Sequence, residues 1–135
     1  MKKLFTTGYS TSAFNLALLI LRVGSGILMM NHGYDKLVKF QDMAPNFMNF
    51  LGMSGTVSLA LVVFAEFFCS IFLILGLFTR LAAIPLIIDV AVAVAKGHNM
   101  DIFGDGEHAA IFFLVFVTIL LVGPGRISVD GMINK

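Results

Sequence analysis

Four apolar stretches dominate this chain. The first runs from Ser12 to Asn31 with Arg22 as its only charge, and the second from Thr56 to Leu75 with only Glu66. The third runs from Leu81 to Lys96 around Asp89, and the fourth from Glu107 to Val122. A helix crosses the hydrocarbon core of a bilayer with roughly 20 apolar residues, because inside lipid each backbone polar group must be satisfied within the segment itself. Hydrophobic residues make up 59% of the 135 positions and charged residues 13%. The mean hydropathy is +0.96, outside the balance of a soluble domain. The expected fold is all-α: a single four-span membrane domain over residues 1–135, built as a four-helix transmembrane bundle with a short interfacial helix between the first two spans. The remaining connections are too short to hold a separate soluble catalytic domain.

Those connections carry their own signals. Between about Gly33 and Gly55, Phe40, Met43, Ala44, Phe47, Met48, Phe50 and Leu51 recur at three- and four-residue spacing. That spacing predicts a short helix with one apolar face at the membrane surface, in which Pro45 sits near the first turn or breaks it. The tight link from Gly76 to Arg80 makes the second and third spans antiparallel neighbours, and Pro85 predicts a kink in the third. The polar cluster His32 to Lys36 closes the first span, and Gly123, Pro124 and Gly125 close the fourth. Polar residues from Thr6 to Ser12 follow Lys2 and Lys3 without a small-residue cleavage site, so the first span reads as retained. Lys2, Lys3, Arg80, Arg126 and Lys135 flank one side, and Lys36, Lys39 and Lys96 the other. The basic excess puts the first side and both termini in the cytoplasm. It also groups His32, Lys36, His98, Glu107 and His108 near the outer surface.

Arg22, Glu66 and Asp89 each fall inside an apolar stretch, where a charged side chain costs about 2.5–3.5 kcal/mol on insertion scales. Helical spacing aligns Arg22 with Asn15 and Gly26, Glu66 with Cys69 and Ser70, and Asp89 with Ala82, Pro85 and Ala93. Each charge therefore shares a face with small or polar residues that admit a neighbouring helix. The expectation is a polar core in which Arg22 pairs with one carboxylate and the other is protonated, hydrated or shared. Such a core serves either as a structural network or as a site that handles a proton or a ligand such as a quinone carbonyl.

Several classes are set aside. The net charge of +1 carries no basic run for nucleic acid. Cys69 is the sole cysteine, which excludes an intrachain disulfide, a CxxC pair and a cysteine-ligated cluster. No histidine lies in mid-span, which argues against haem. A divalent site from His98, Asp101, Glu107 and His108 ranks below solvated loop polarity, so no metal is expected. A transporter would require a homo-oligomer, since four spans leave little room for alternating access.

The order and spacing of LRVGSGILMMNHGYDKL (Leu21 to Leu37), Glu66, LGLFTRLAAIPL (Leu75 to Leu86), Gly97 with Glu107, and GPGRISVD (Gly123 to Asp130) resemble the DoxX family of small bacterial membrane proteins. The resemblance covers nearly the whole chain. It implies a four-helix bundle of the bacterial inner membrane and an oxidoreductase setting, as a subunit of a quinol oxidase or a thiosulfate:quinone oxidoreductase. The matching positions are Arg22, His32, Gly33, Lys36, Glu66, Gly76, Thr79, Arg80, Glu107, Gly123, Pro124, Gly125 and Asp130; Asp89 lies outside the pattern. The expected function is an accessory or quinone-interacting subunit of a membrane redox system, with Arg22, Glu66 and Asp89 as polar core and His32, Lys36 and Glu107 as an outer cluster. With no dinucleotide loop or CxxC, electrons would pass through a bound quinone or through redox partner proteins. The alternative is a non-enzymatic bundle in the lipid bilayer that binds or moves a small hydrophobic molecule or scaffolds a partner.

Overall fold

The computed structural model describes residues 4–97, 101–104 and 106–134, and every regular element among them is helical. Helix α1 spans Thr11–Val38 and begins where the Ser10 hydroxyl accepts a hydrogen bond from the Ala13 amide. It does not stop at the polar cluster His32 to Lys36 but continues through it. Polarity alone does not end a helix; that takes a backbone that cannot continue, and the first proline downstream is Pro45. The connection is correspondingly shorter than the sequence suggests. It holds one turn of helix, α2 (Phe40–Met43), then a 3₁₀ turn at Ala44–Asn46 that contains Pro45. The apolar positions expected on a surface helix instead fold onto the next long helix, where Phe40, Met43, Ala44 and Phe47 pack with Leu59 and Val63.

Helix α3 spans Gly55–Leu75, capped by the Ser54 hydroxyl and ended by Gly76 in the left-handed region at φ 73°. Its middle, Phe64–Cys69, is wound as π-helix. Helix α4 spans Thr79–Val92, contains Pro85 and continues into a second π-helical stretch at Ala93–Gly97. Helix α5 spans Glu107–Val122, and a short α6 (Val129–Ile133) follows the glycine-proline turn. The boundaries of α5 coincide with the fourth apolar stretch.

Helix α1 packs on α3, and α4 packs on both α3 and α5. Small residues allow the first of these contacts. A Cβ added to Gly26 would stand 2.7 Å from Ile74 Cγ1, and one added to Gly33 would stand 2.6 Å from the Glu66 carbonyl carbon and the Phe67 amide nitrogen. Hence α1 meets α3 backbone to backbone at Gly33, the kind of approach that holds helices together where lipid removes the hydrophobic drive between them. Met29, Cys69, Leu73, Leu86, Phe116 and Ile119 fill the centre. The outer faces are apolar as well, with Ile20, Leu28, Leu81, Leu114 and Leu121 largely exposed. Among the described residues two helices, α1 and α3, are long and apolar enough to cross a membrane, while α5 is apolar but shorter at 16 residues.

Gly33→Ala inserts a methyl group where backbone already stands, and overpacking of this kind costs about 1–3 kcal/mol. Thermal unfolding in mild detergent should show a clearly lowered midpoint. A midpoint equal to that of the unaltered protein would mean that α1 and α3 do not touch there.

Candidate functional site

The Gly33 contact determines which side chains meet. One turn further along α1, Lys36 Nζ lies 2.7 Å from Glu66 Oε1 of α3; the Lys36 side chain keeps 23% of its exposure and that of Glu66 only 8%. Glu66 sits within the π-helical turns, whose extra residue per turn re-aims side chains relative to a regular helix. From α4, Asp89 comes up beside Glu66. Its Oδ2 is sealed from solvent and meets no hydrogen-bond donor among the described residues. One cation thus faces two carboxylates in a largely apolar setting.

Asp89 also lines a half-open cavity of about 290 Å³ between α3, α4 and the connection after α2. Phe47, Phe50, Phe64, Pro85 and Ile88 form much of its wall. The connection is fixed over the cavity because the Phe50 amide donates to Ser58 Oγ at 2.9 Å. Lys96 Nζ lies 5.7 Å from the centre of the Phe50 ring.

Arg22 takes no part in this cluster, which corrects the expected pairing with Glu66 or Asp89. Lys36 is fourteen residues further along the same helix, about 21 Å away at 1.5 Å per residue. Arg22 is buried at the opposite end, where Nη1 donates to the Pro124 carbonyl at 2.6 Å and Nη2 to the Ile127 carbonyl at 2.9 Å. The carbonyls beyond the end of α5 need donors, and a guanidinium supplies several in a fixed fork. Arg80 acts similarly, donating from Nε to the Leu120 carbonyl at 3.1 Å and from Nη2 to that of Leu121 at 3.4 Å.

At the same end, Asp130 accepts the Phe78 and Thr79 amides at 2.9 Å each and so caps α4. Burial by itself would push the Asp130 carboxyl up. The two amides and the nearby Arg22 charge outweigh it and hold the group below the usual carboxylate range.

The outer cluster does not assemble as expected. Lys36 turns inward to Glu66, while His32 is exposed and lies edge-on to Phe112 with ring centres 6.0 Å apart. Glu107 is exposed in the first turn of α5 and enters no ion pair among the described residues. His98 lies outside the described residues, and within them no three metal-ligating side chains converge. The partner that sequence reasoning missed is Lys36. Its signal was Gly33 three residues earlier, which marks the helix face that approaches a neighbour.

A family model described as DoxX matches residues 17–99, more than half of the chain. An uncharacterized membrane protein of Mycobacterium tuberculosis is 26% identical over 134 residues, covering 88% of this chain and 82% of its own. An uncharacterized protein of Haemophilus influenzae is 31% identical over 128 residues, covering 87% and 91% respectively. No solved structure matches.

Lys36→Met should lower stability by about 1–3 kcal/mol, less than a fully buried pair because Lys36 is partly exposed. Adding Glu66→Gln should recover part of that loss, and a double-mutant cycle with strictly additive effects would rule out the pairing. Asp130, with its folded pKa depressed, contributes stability that is complete above the unfolded value of about 3.9 and is lost as the pH falls through the folded value. The midpoint gap between the unaltered protein and Asp130→Asn should therefore narrow as the pH drops below about 4, measured by thermal unfolding across that range.

Proposed function

We propose, from the premise that the chain belongs to the DoxX family of membrane proteins, that it is a four-span bundle of the bacterial inner membrane that holds a quinone-type headgroup as an accessory subunit of a redox system. The spans are α1, α3, α4 with its π-helical extension, and α5. The shorter two match a hydrocarbon core of about 30 Å through local thinning and through flanking side chains that reach the interface. Arg80 and Arg126 mark the cytoplasmic end together with both termini; Lys36, Lys39 and Lys96 mark the outer end.

One observation carries this reading: an apolar, aromatic-walled cavity that presents a single carboxyl group. Its size is close to the lower end of small-molecule sites, which are mostly apolar with a few placed polar groups. Phe47, Phe50 and Phe64 offer ring faces and edges to an aromatic headgroup, and Asp89 offers an oxygen to its polar substituent. A bound quinone would supply electron carriage that the chain's own residues cannot; the chain's residues bind, orient and exclude water. The apolar lining equally supports a second reading, in which the same cavity holds a small hydrophobic molecule without turnover, for transfer or for scaffolding a partner.

Protein purified in mild detergent and extracted with organic solvent should yield about one quinone or quinol per chain by mass spectrometry. Ile88→Trp, which fills the cavity, should abolish it. A folded protein carrying only phospholipid would overturn the quinone reading.

A further inference from the structure

Helix α1 has two faces of different character. Arg22, Gly26, Met29 and Gly33 lie on its buried side, against α3 and the turn beyond α5. On the opposite side Ile20, Gly24, Ile27, Asn31, Tyr34 and Val38 are all exposed, spaced alternately by four and three residues. That is the spacing of a seam along which a second helix packs. Contact with lipid would account for the apolar members of this row but not for Asn31. On α1 that residue lies eight positions, about 12 Å, below Lys39 at the outer end, and nine positions, about 14 Å, above Arg22 at the level of the turn after α5. Its amide therefore sits within the hydrocarbon layer, where a polar group without a hydrogen bond is costly. Thr118, exposed on α5, meets that cost within its own helix by donating to the Leu114 carbonyl at 2.8 Å. Asn31 makes no such bond among the described residues.

A carboxamide both donates and accepts, so two of them satisfy each other. Copies of this chain are inserted in the same orientation, and a two-fold axis along the membrane normal sets Asn31 of one against Asn31 of the other at equal depth. A two-fold interface has to be self-complementary in this way. An asparagine among apolar seam positions also fixes the register of a parallel helix pair. Gly24, one heptad nearer the cytoplasm, leaves room for close approach, since a Cβ added there would meet nothing of its own chain within 4 Å. Asp35 and Lys39 flank the seam and neutralise one another at 3.1 Å, with both side chains more than half exposed, so two copies meet without a net charge between them. We infer that this face of α1 is the interface of a parallel homodimer, with Asn31 paired across the two-fold axis. The depth of Asn31 rests on the four-span placement, whereas the interface is independent of what the cavity between α3 and α4 holds.

The test is cysteine cross-linking of the full chain in membranes. Cys69, the chain's own cysteine, is buried, so an introduced surface cysteine is the exposed thiol. Under copper-phenanthroline oxidation Ile27→Cys and Asn31→Cys should give a disulfide-linked dimer, while Leu114→Cys, exposed on α5, should not. In detergent, Asn31→Leu should raise the dimer dissociation constant about tenfold by analytical ultracentrifugation, as loss of the interhelical hydrogen bonds predicts. Gly24→Leu should weaken the dimer as well, and neither exposed position is needed for the monomer to fold. Absence of a cross-linked dimer at both α1 positions, cross-linking through Leu114→Cys instead, or a dimer indifferent to both leucine variants would overturn the interface. An Asn31→Cys adduct with a different protein and none with itself would overturn the second copy as occupant. Recovery of the chain outside the membrane fraction would overturn the span placement on which the depth of Asn31 rests.

Discussion

At Gly33 the backbones of α1 and α3 come so close that no side chain fits between them, and the rest of the polar interior follows from that contact. The crossing fixes the height of Lys36, three residues later, against Glu66. Because Glu66 belongs to π-helical turns, its carboxylate is available both to Lys36 on α1 and to Asp89 on α4. A residue with a Cβ at position 33 would separate the helices, lengthen the 2.7 Å ion pair and leave two acids in an apolar environment without a cation. Packing and electrostatics are therefore one constraint here: the close approach is what makes the charges tolerable.

A second polar layer lies where α5 ends, against Arg22 in the middle of α1. Arg22 ties that helix to the Pro124 and Ile127 carbonyls, Arg80 ties α4 to the last carbonyls of α5, and Asp130 caps α4. Gly76 belongs to the same layer, since a Cβ there would stand 3.0 Å from Arg22 Cζ. Arg80 and Asp130 satisfy backbone groups left over where a helix ends or begins, and Arg22 satisfies carbonyls in the turn beyond α5. Between the two layers lie about 21 Å of α1 and a centre filled by Leu73, Leu86, Phe116 and Ile119. One layer is built of side chains paired with backbone and reads as structural. The other is built of side chains paired with each other beside a cavity, and there ligand chemistry has room to act.

The helices were legible in the sequence because apolar runs and their breakers are local. Gly76 and Gly123, both at positive φ, end α3 and α5 where the apolar stretches end. The length of α1 was not legible in the same way, because the polar residues from His32 to Lys36 changed the solvent preference of the chain without changing its helicity. That error propagated: a span ending at Asn31 leaves Lys36 outside it and Arg22 as the cation expected level with Glu66 and Asp89, whereas the 28-residue helix carries Lys36 into the packed region beside Glu66. The pairing of Glu66 was lost for the same reason. Asp89 was read correctly as a charge on a small-residue face, but its closeness to Glu66 and its place in a cavity wall depend on how α3 and α4 pack, which no spacing within one helix contains.

The positions that carry the resemblance to DoxX proteins divide between the two layers: Arg22, Gly76, Thr79, Arg80, Gly123, Pro124, Gly125 and Asp130 at one end, and Gly33, Lys36 and Glu66 at the other. They position helices and balance charge. Asp89 and the aromatic residues Phe47, Phe50 and Phe64 around the cavity lie outside that pattern. The scaffold sets a cation against an acid, and residues of α4 and of the connection after α2 wall the cavity beside them. Shared architecture therefore carries no obligation to share a reaction. For this chain the choice narrows to the third member of the cluster. Lys36 and Glu66 pair with each other away from the cavity wall, and of the three only Asp89 lines it.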